Sequence, residues 1–365
     1  MRITIPHLGN VYLAVKILFD SLGLDYVIPP LNSREALSLG SKYSPEEICL
    51  PFKLMVGNYI AGVESGADTV LLVGSCGPCR FGEYPELQIR IMKQLGYDVD
   101  FIVLDPVQSI GLNELFKRIR KVGLESGKSA LSKIGSVFLA YNAMRLIDEI
   151  EASAHAIAGY ETNPGEAKNL LSSCKKEVFS CSDPVKAVKI LNQYRNRIKT
   201  IPADYSKKPL KIAVMGEIYT VIEPFSNLYI EDILMDMGVS TVRRLTPTWW
   251  LKDMLLKTIN LNSRELLKAS NEFLPLYIGG HARECIGEAV LAAKEQMDGA
   301  IQIFPMGCMP EIVSKSILPS IAQKKKLPVL SLVVDEMTGE AGYLTRIEAF
   351  LDLLERRREH VCTRC

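Results

Sequence analysis

Histidine is scarce in this chain. There are four in 365 residues, at positions 7, 155, 281 and 360, and no two stand at metal-ligand spacing. A bound metal is therefore expected to be held mainly by sulfur. An excess of charge of one sign is missing too. Lys and Arg total 43 against 42 Asp and Glu, a formal net charge of +1, which gives no reason to expect nucleic acid or an anionic membrane as partner. No apolar run reaches the ~18 residues of a membrane span. The first residues, Met1-Arg2-Ile3-Thr4-Ile5-Pro6, enter a strand directly with no signal-peptide layout, so a cytoplasmic location is the expectation.

Cysteine is the residue in surplus, with nine in the chain. In a reducing compartment these are poor disulfide candidates and better metal or redox candidates. They fall into a stretch that occurs twice. The first copy has Cys49-Leu50-Pro51 opening a helix, then an apolar strand, then Cys76-Gly77-Pro78-Cys79. The second has Cys285 early in a helix, then a strand, then Cys308. Hydrophobic residues at 48% and charged residues at 23% are ordinary for a globular protein with its own cores.

The apolar runs place these cysteines. Residues 2–5, 25–28, 69–74 and 99–104 read as buried parallel strands, with helices over 11–22 and 84–95, the latter stopped by Gly96. Residues 107–205 show helical periodicity. The α/β pattern then resumes with strands near 211–216, 240–243, 300–304 and 329–334. A helix follows the first of these over 225–237, a strand covers 274–278, and a last helix covers 345–359. The expectation is an α/β protein: two flavodoxin-like parallel-sheet domains related by duplication, with a helical domain between them in sequence. The boundaries are 1–106, 107–206, 207–340, and 341–365 for the C-terminal helix and tail.

In open parallel sheets, sites form outside the carboxyl ends of the strands. Cys76, Cys79 and Cys308 follow strands, and Cys49 sits at a helix start, where the dipole favours a thiolate. These four are candidate ligands of one soft metal centre; thiolates suit zinc and an iron–sulfur cluster about equally. Cys285 is supported only by the repeat. Cys174 and Cys181 read as packing residues, and the terminal Cys362 and Cys365 stay unassigned. Cys76-Gly77-Pro78-Cys79 also has the layout of a thiol–disulfide oxidoreductase. Against that stand the lack of an aromatic residue before Cys76 and the matching Cys308, which a dithiol enzyme does not need.

Four stretches carry a family resemblance: Cys49-Leu50-Pro51-Phe52-Lys53, Gly74 to Tyr84, Phe304 to Glu311, and Asp335 to Phe350. They resemble the 2-hydroxyacyl-CoA dehydratase superfamily, in its activase-related branch, with relatives among benzoyl-CoA reductase subunits and double-cubane-cluster proteins. The resemblance implies an oxygen-sensitive iron–sulfur cluster, a [4Fe–4S] centre first and a larger double-cubane type second. It also implies a separate actin/Hsp70-like ATPase, itself an iron–sulfur protein, as ATP-dependent electron donor. The substrate would be small, with an acyl-CoA possible, for reduction or dehydration. A non-catalytic relay or maturation partner of the activator is the alternative. No ATP site is evident in this chain: Gly127-Lys128-Ser129 ends like a Walker A loop, but Gly123 is one residue too close.

Around the cysteines, Asp335 and Glu336 end the last strand and are candidates for moving protons or for capping the helix that follows. His281, in the Gly279-Gly280-His281 loop, is a further proton-handling candidate. Lys53 and Arg80 would offset thiolate charge. Pairing with a second copy and pairing with a different subunit are both open.

Overall fold

The computed structural model describes residues 1–74, 79–257 and 262–362. The chain runs β1 (Arg2–Thr4), α1 (Val11–Leu22), β2 (Asp25–Val27), α2 (Arg34–Tyr43), α3 (Leu50–Glu64), β3 (Thr69–Val73), α4 (Tyr84–Gln94) and β4 (Asp100–Leu104). Four helices follow: α5 (Val107–Leu124), α6 (Ala130–Ile157), α7 (Glu166–Ser180) and α8 (Pro184–Ile198). Then come β5 (Lys211–Gly216), α9 (Ile218–Ile222), α10 (Ile230–Asp236), β6 (Ser240–Val242), α11 (Pro247–Lys257) and α12 (Arg264–Ser270). The chain closes with α13 (Ala282–Lys294), β7 (Gly299–Pro305), α14 (Met309–Lys325), β8 (Val329–Val334) and α15 (Glu340–Cys362).

The fold is α/β with two all-parallel sheets of four strands, ordered β2-β1-β3-β4 and β6-β5-β7-β8. Parallel pairing forces each connection through a helix, and strands covered on both faces read as continuous apolar runs. Thr69–Val73 and Gly299–Pro305 are such runs, the latter buried along its whole length. In each sheet the chain first steps one way and then crosses to the other side of the first strand. A topological switch point therefore falls beside β1 and β3, and again beside β5 and β7.

The chain divides into two compact units, each with one sheet. One comprises Met1–Glu149, Ser172–Asn196 and Pro247–Asn262; the other comprises Ile150–Leu171, Arg197–Thr246 and Ser263–Cys365. In the first, α3 is apolar on nearly every side and buried from Leu50 to Ile60, as befits a core helix. It lies so close to α2 that a Cβ at Gly57 would come 2.1 Å from the Ala36 carbonyl oxygen. In the second, Leu318, Ile321, Ala289, Ile286 and Met215 pack α13 and α14 against the sheet. No helix among the described residues is long and apolar enough to cross a membrane.

Two local expectations fail. Residues 274–278 are irregular rather than a strand: Pro275 has no N–H to give a ladder, and Leu276 and Tyr277 face solvent. The helix expected over 225–237 is broken, because Leu228 and Tyr229 take left-handed φ values of 55° and 56°. Only α10 and a short 3₁₀ turn, Phe225–Asn227, are helical there. Asn227 holds the break by donating to the Thr220 carbonyl at 2.9 Å and accepting from the Ile230 amide at 3.2 Å.

Candidate functional site

Cys49 is the N-cap of α3, with Pro51 in the first turn. Proline fits there because its missing N–H would have had no intrahelical partner. The remaining amides at this helix start point toward the cap, a setting that favours negative charge. The Cys49 thiol is buried and in hydrogen-bond contact with the Tyr84 hydroxyl. Tyr84 is wedged by two rings, Phe52 at 5.0 Å edge-on and Phe81 at 4.9 Å.

Cys79 is half-buried and caps the 3₁₀ turn Arg80–Glu83 that leads into α4. That segment is fastened to the residues before Cys49: Arg80 donates to the Glu47 carbonyl at 3.2 Å. Lys53, enclosed in α3, donates to the neighbouring Glu46 carbonyl at 3.0 Å. Two cations are thus anchored at the loop that delivers Cys49. Cys76 lies outside the described residues.

In the second unit, Cys308 is the N-cap of α14 and Pro310 stands two residues on. The Cys308 amide donates to the Pro305 carbonyl at 3.1 Å and its carbonyl accepts from Ile312 at 2.9 Å. Cys49-Leu50-Pro51 and Cys308-Met309-Pro310 are therefore the same local device, a thiol on the first cap of a long helix. The Gly279-Gly280-His281 loop packs against this start. A Cβ at Gly280, whose φ is 53°, would come 2.7 Å from Pro310 Cγ. Glycine there follows from both the backbone angle and the space. His281 is the N-cap residue of α13 and accepts the Cys285 amide at 2.9 Å through its carbonyl.

Cys285 belongs to the apolar cluster of α13, α14 and the sheet. Its thiol pKa is pushed well above the ordinary value by burial first, then by the charges of Glu311 and Glu288. Glu311, three residues after Cys308, turns inward and accepts from Gln302 Nε2 at 2.8 Å, while Ser331 donates to Gln302 Oε1 at 2.8 Å. Burial raises Glu311 to about 8, against the hydrogen bonds of Gln302 and Cys285. Burial also raises Glu288 to about 8, against the pull of Arg244. Neither Glu288 oxygen has a hydrogen-bond partner among the described residues. Both carboxyls suit the neutral form, since burying an ionised carboxylate is costly.

Asp335 organises the turn before α15. Its carboxylate accepts from Met337 N at 2.9 Å and Thr338 Oγ1 at 2.8 Å, and its own amide donates back to Thr338 Oγ1 at 2.8 Å. Glu336 is exposed. Cys174 is buried in α7, and Cys181 donates to the Asp183 carbonyl at 3.3 Å. Among the described residues no three His, Cys, Asp or Glu side chains group as a metal site.

Sequence reasoning passed over two polar centres. One is the pair Glu288 and Glu311, to which the sequence assigned no role; the alanines and glycine of α13, Ala282, Gly287, Ala289 and Ala292, were the available sign of tight enclosure. The other is His7, just past β1 and fully buried. Its ring nitrogen meets the Pro29 carbonyl at 2.7 Å, and its amide donates to Asn58 Oδ1 at 3.0 Å. Burial depresses the His7 pKa despite its bonds to the Pro29 and Pro30 carbonyls. Comparison with protein-family models gives no match, and comparison with curated proteins gives no significant similarity.

Proposed function

We propose that this chain is an iron–sulfur protein of the 2-hydroxyacyl-CoA dehydratase type, with Cys49, Cys76, Cys79 and Cys308 as sulfur ligands of a [4Fe–4S] cluster. The reading rests first on the motifs quoted from the sequence. The observation that supports it best is the shared seating of Cys49 and Cys308 on helix N-caps, each followed by proline two residues later. The identical strand order of the two sheets supports a duplicated, flavodoxin-like origin for the two halves.

Bound there, the cluster would pass single electrons received from a separate ATP-dependent activator of the actin/Hsp70-like class to a small substrate. The residues around the thiols suit that task. Helix N-termini and the Lys53 and Arg80 side chains favour the negative charge of thiolate ligands. The Tyr84 hydroxyl is placed to donate to Cys49 sulfur, which raises the potential of a sulfur-ligated centre. His281 stands one loop from Cys308 and would handle protons, with Asp335 and Glu336 at the end of β8 as further candidates.

The test is anaerobic purification followed by iron and acid-labile sulfide analysis. A brown protein with about four irons per chain is the expected result. A colourless protein with only a titratable Cys76–Cys79 dithiol would replace this function by thiol–disulfide exchange.

A further inference from the structure

A glutamine stands in the middle of β7, a strand otherwise built of Gly, Ala, Ile, Phe and Pro and buried along its whole length. Gln302 itself is wholly enclosed. A buried amide is costly unless its donors and acceptor are met, and here they are. Ser331 of β8 donates to Gln302 Oε1 at 2.8 Å. Gln302 Nε2 donates twice, to the Glu311 main-chain carbonyl at 3.2 Å and to Glu311 Oε2 at 2.8 Å. A main-chain carbonyl can only accept, which fixes the end of the amide that faces Glu311. Gln302 thus grips one residue of α14 by its backbone and its side chain together.

Glu311 stands three positions after Cys308, the N-cap of α14. A glutamate at that place ordinarily reaches back to the N-cap amide as the second half of a capping box. Here the Cys308 amide is given to the Pro305 carbonyl at 3.1 Å, and the Glu311 carboxyl lies inside, with Oε1 unpartnered among the described residues. Cys285 faces it as a hydrogen-bond donor, and the carboxyls of Glu217, Glu284 and Glu288 surround it. The first copy of the motif reaches the same end more simply. Helix α3 has no acid in its first turn, and Phe52 holds the position three after Cys49. Strand β3 correspondingly carries no amide side chain. The first copy forms its strand and helix without a Gln–Glu pair, so packing alone does not call for one.

We propose that Gln302 is a positioning residue for Cys308: by holding Glu311 inward it keeps a carboxylate away from the helix cap on which this thiol sits. Swung outward, Glu311 would ionise in water, and an anion beside the thiol disfavours the thiolate that ligation or nucleophilic chemistry needs. With Glu311 inside, the amide end of α14 acts on Cys308 unopposed. The inference rests on Cys308 acting as a thiolate, as the cluster reading requires, and adds how the chain readies it.

The full chain, freed of metal by anaerobic chelation and checked by circular dichroism, tests this near neutral pH. Infrared spectroscopy reads Glu311: the carbonyl stretch of protonated carboxyls in the wild type should lose one component in Glu311→Gln and in Gln302→Met. Iodoacetamide labelling with peptide mass spectrometry reads Cys308. Gln302→Met should slow its alkylation roughly tenfold, and adding Glu311→Gln to that variant should restore the rate. If Gln302→Met does not fold, Ser331→Ala, which frees the Gln302 amide from β8, gives the same pair of readings. A wild-type spectrum unaltered by Glu311→Gln overturns the inference, because the carboxyl is then already ionised. An unchanged alkylation rate in Gln302→Met overturns it too, as does a slowed rate that Glu311→Gln does not restore, the mark of a merely structural role. A wild-type chain that binds no iron removes the cluster and leaves these expectations standing, so the two failures are told apart.

Discussion

The thiol of Cys49 meets the phenolic oxygen of Tyr84 across the start of α3, and the Tyr84 ring is clasped by Phe52 and Phe81. Ring and hydroxyl therefore do separate work: the ring packs, and the hydroxyl serves sulfur. Tyr84→Phe keeps the packing and removes one hydrogen bond, so the expected stability loss is about 1 kcal/mol. In the iron-loaded protein the same change should lower the midpoint potential, because a donor to a sulfur ligand is lost. Redox titration against a thermal melt separates the two effects. An unchanged potential would remove Tyr84 from the electronic environment of the centre.

Glu288 and Glu311 make the second unit sensitive to alkali. Each carboxyl has an ordinary value of 4.5 and is raised to about 8 by burial in the folded chain. The folded state thus keeps protons that the unfolded state releases. Their contribution is fully present below pH 4.5 and is lost as pH rises toward 8, by on the order of a few kcal/mol per carboxyl. Denaturant unfolding between pH 5 and pH 9 should show this fall. Glu288→Gln, which fixes a neutral side chain, should flatten it; a slope unchanged in that variant would mean the carboxyl is ionised in the folded chain.

Arg243 is the hub of a buried ionic group in the same unit. It donates to Glu151 at 2.6 Å and pairs with Glu231 at 3.1 Å, while His155 Nδ1 lies 2.9 Å from Glu231. Burial works to raise the Glu231 pKa, but the charges of Arg243 and His155 hold it below the usual value. Arg243→Ala leaves two enclosed carboxylates without their cation. The expected cost is ~3–5 kcal/mol, read as a fall in the urea midpoint. A loss under 1 kcal/mol would show that water reaches these groups.

Much of the scaffold was legible in the sequence, because apolar β-branched runs and glycine stops are local signals. Residues 69–73 and 300–304 formed strands as their composition demanded, and α1 runs from Val11 to Leu22 as its periodicity indicated. Cys49 was recognised as a helix start through Pro51. The failures have non-local causes. Residues 274–278 have strand-like side chains, but Pro275 has no N–H to give a ladder, and the segment is irregular. The left-handed pair Leu228–Tyr229 is imposed by Asn227, whose bonds reach back to α9. Glu288 and Glu311 were invisible as buried acids because enclosure depends on which helices meet, and a glutamate in a helix looks the same on either face.

The central claim is that Cys308, on its helix cap, is a ligand of the same cluster as Cys49, Cys76 and Cys79, whereas the buried Cys174 is a packing residue. Iron and acid-labile sulfide content of anaerobically purified Cys308→Ser and Cys174→Ser, each compared with the unaltered chain, tests this most directly. The account predicts that Cys308→Ser loses most of its iron and that Cys174→Ser retains it. Full iron content in Cys308→Ser would contradict the account.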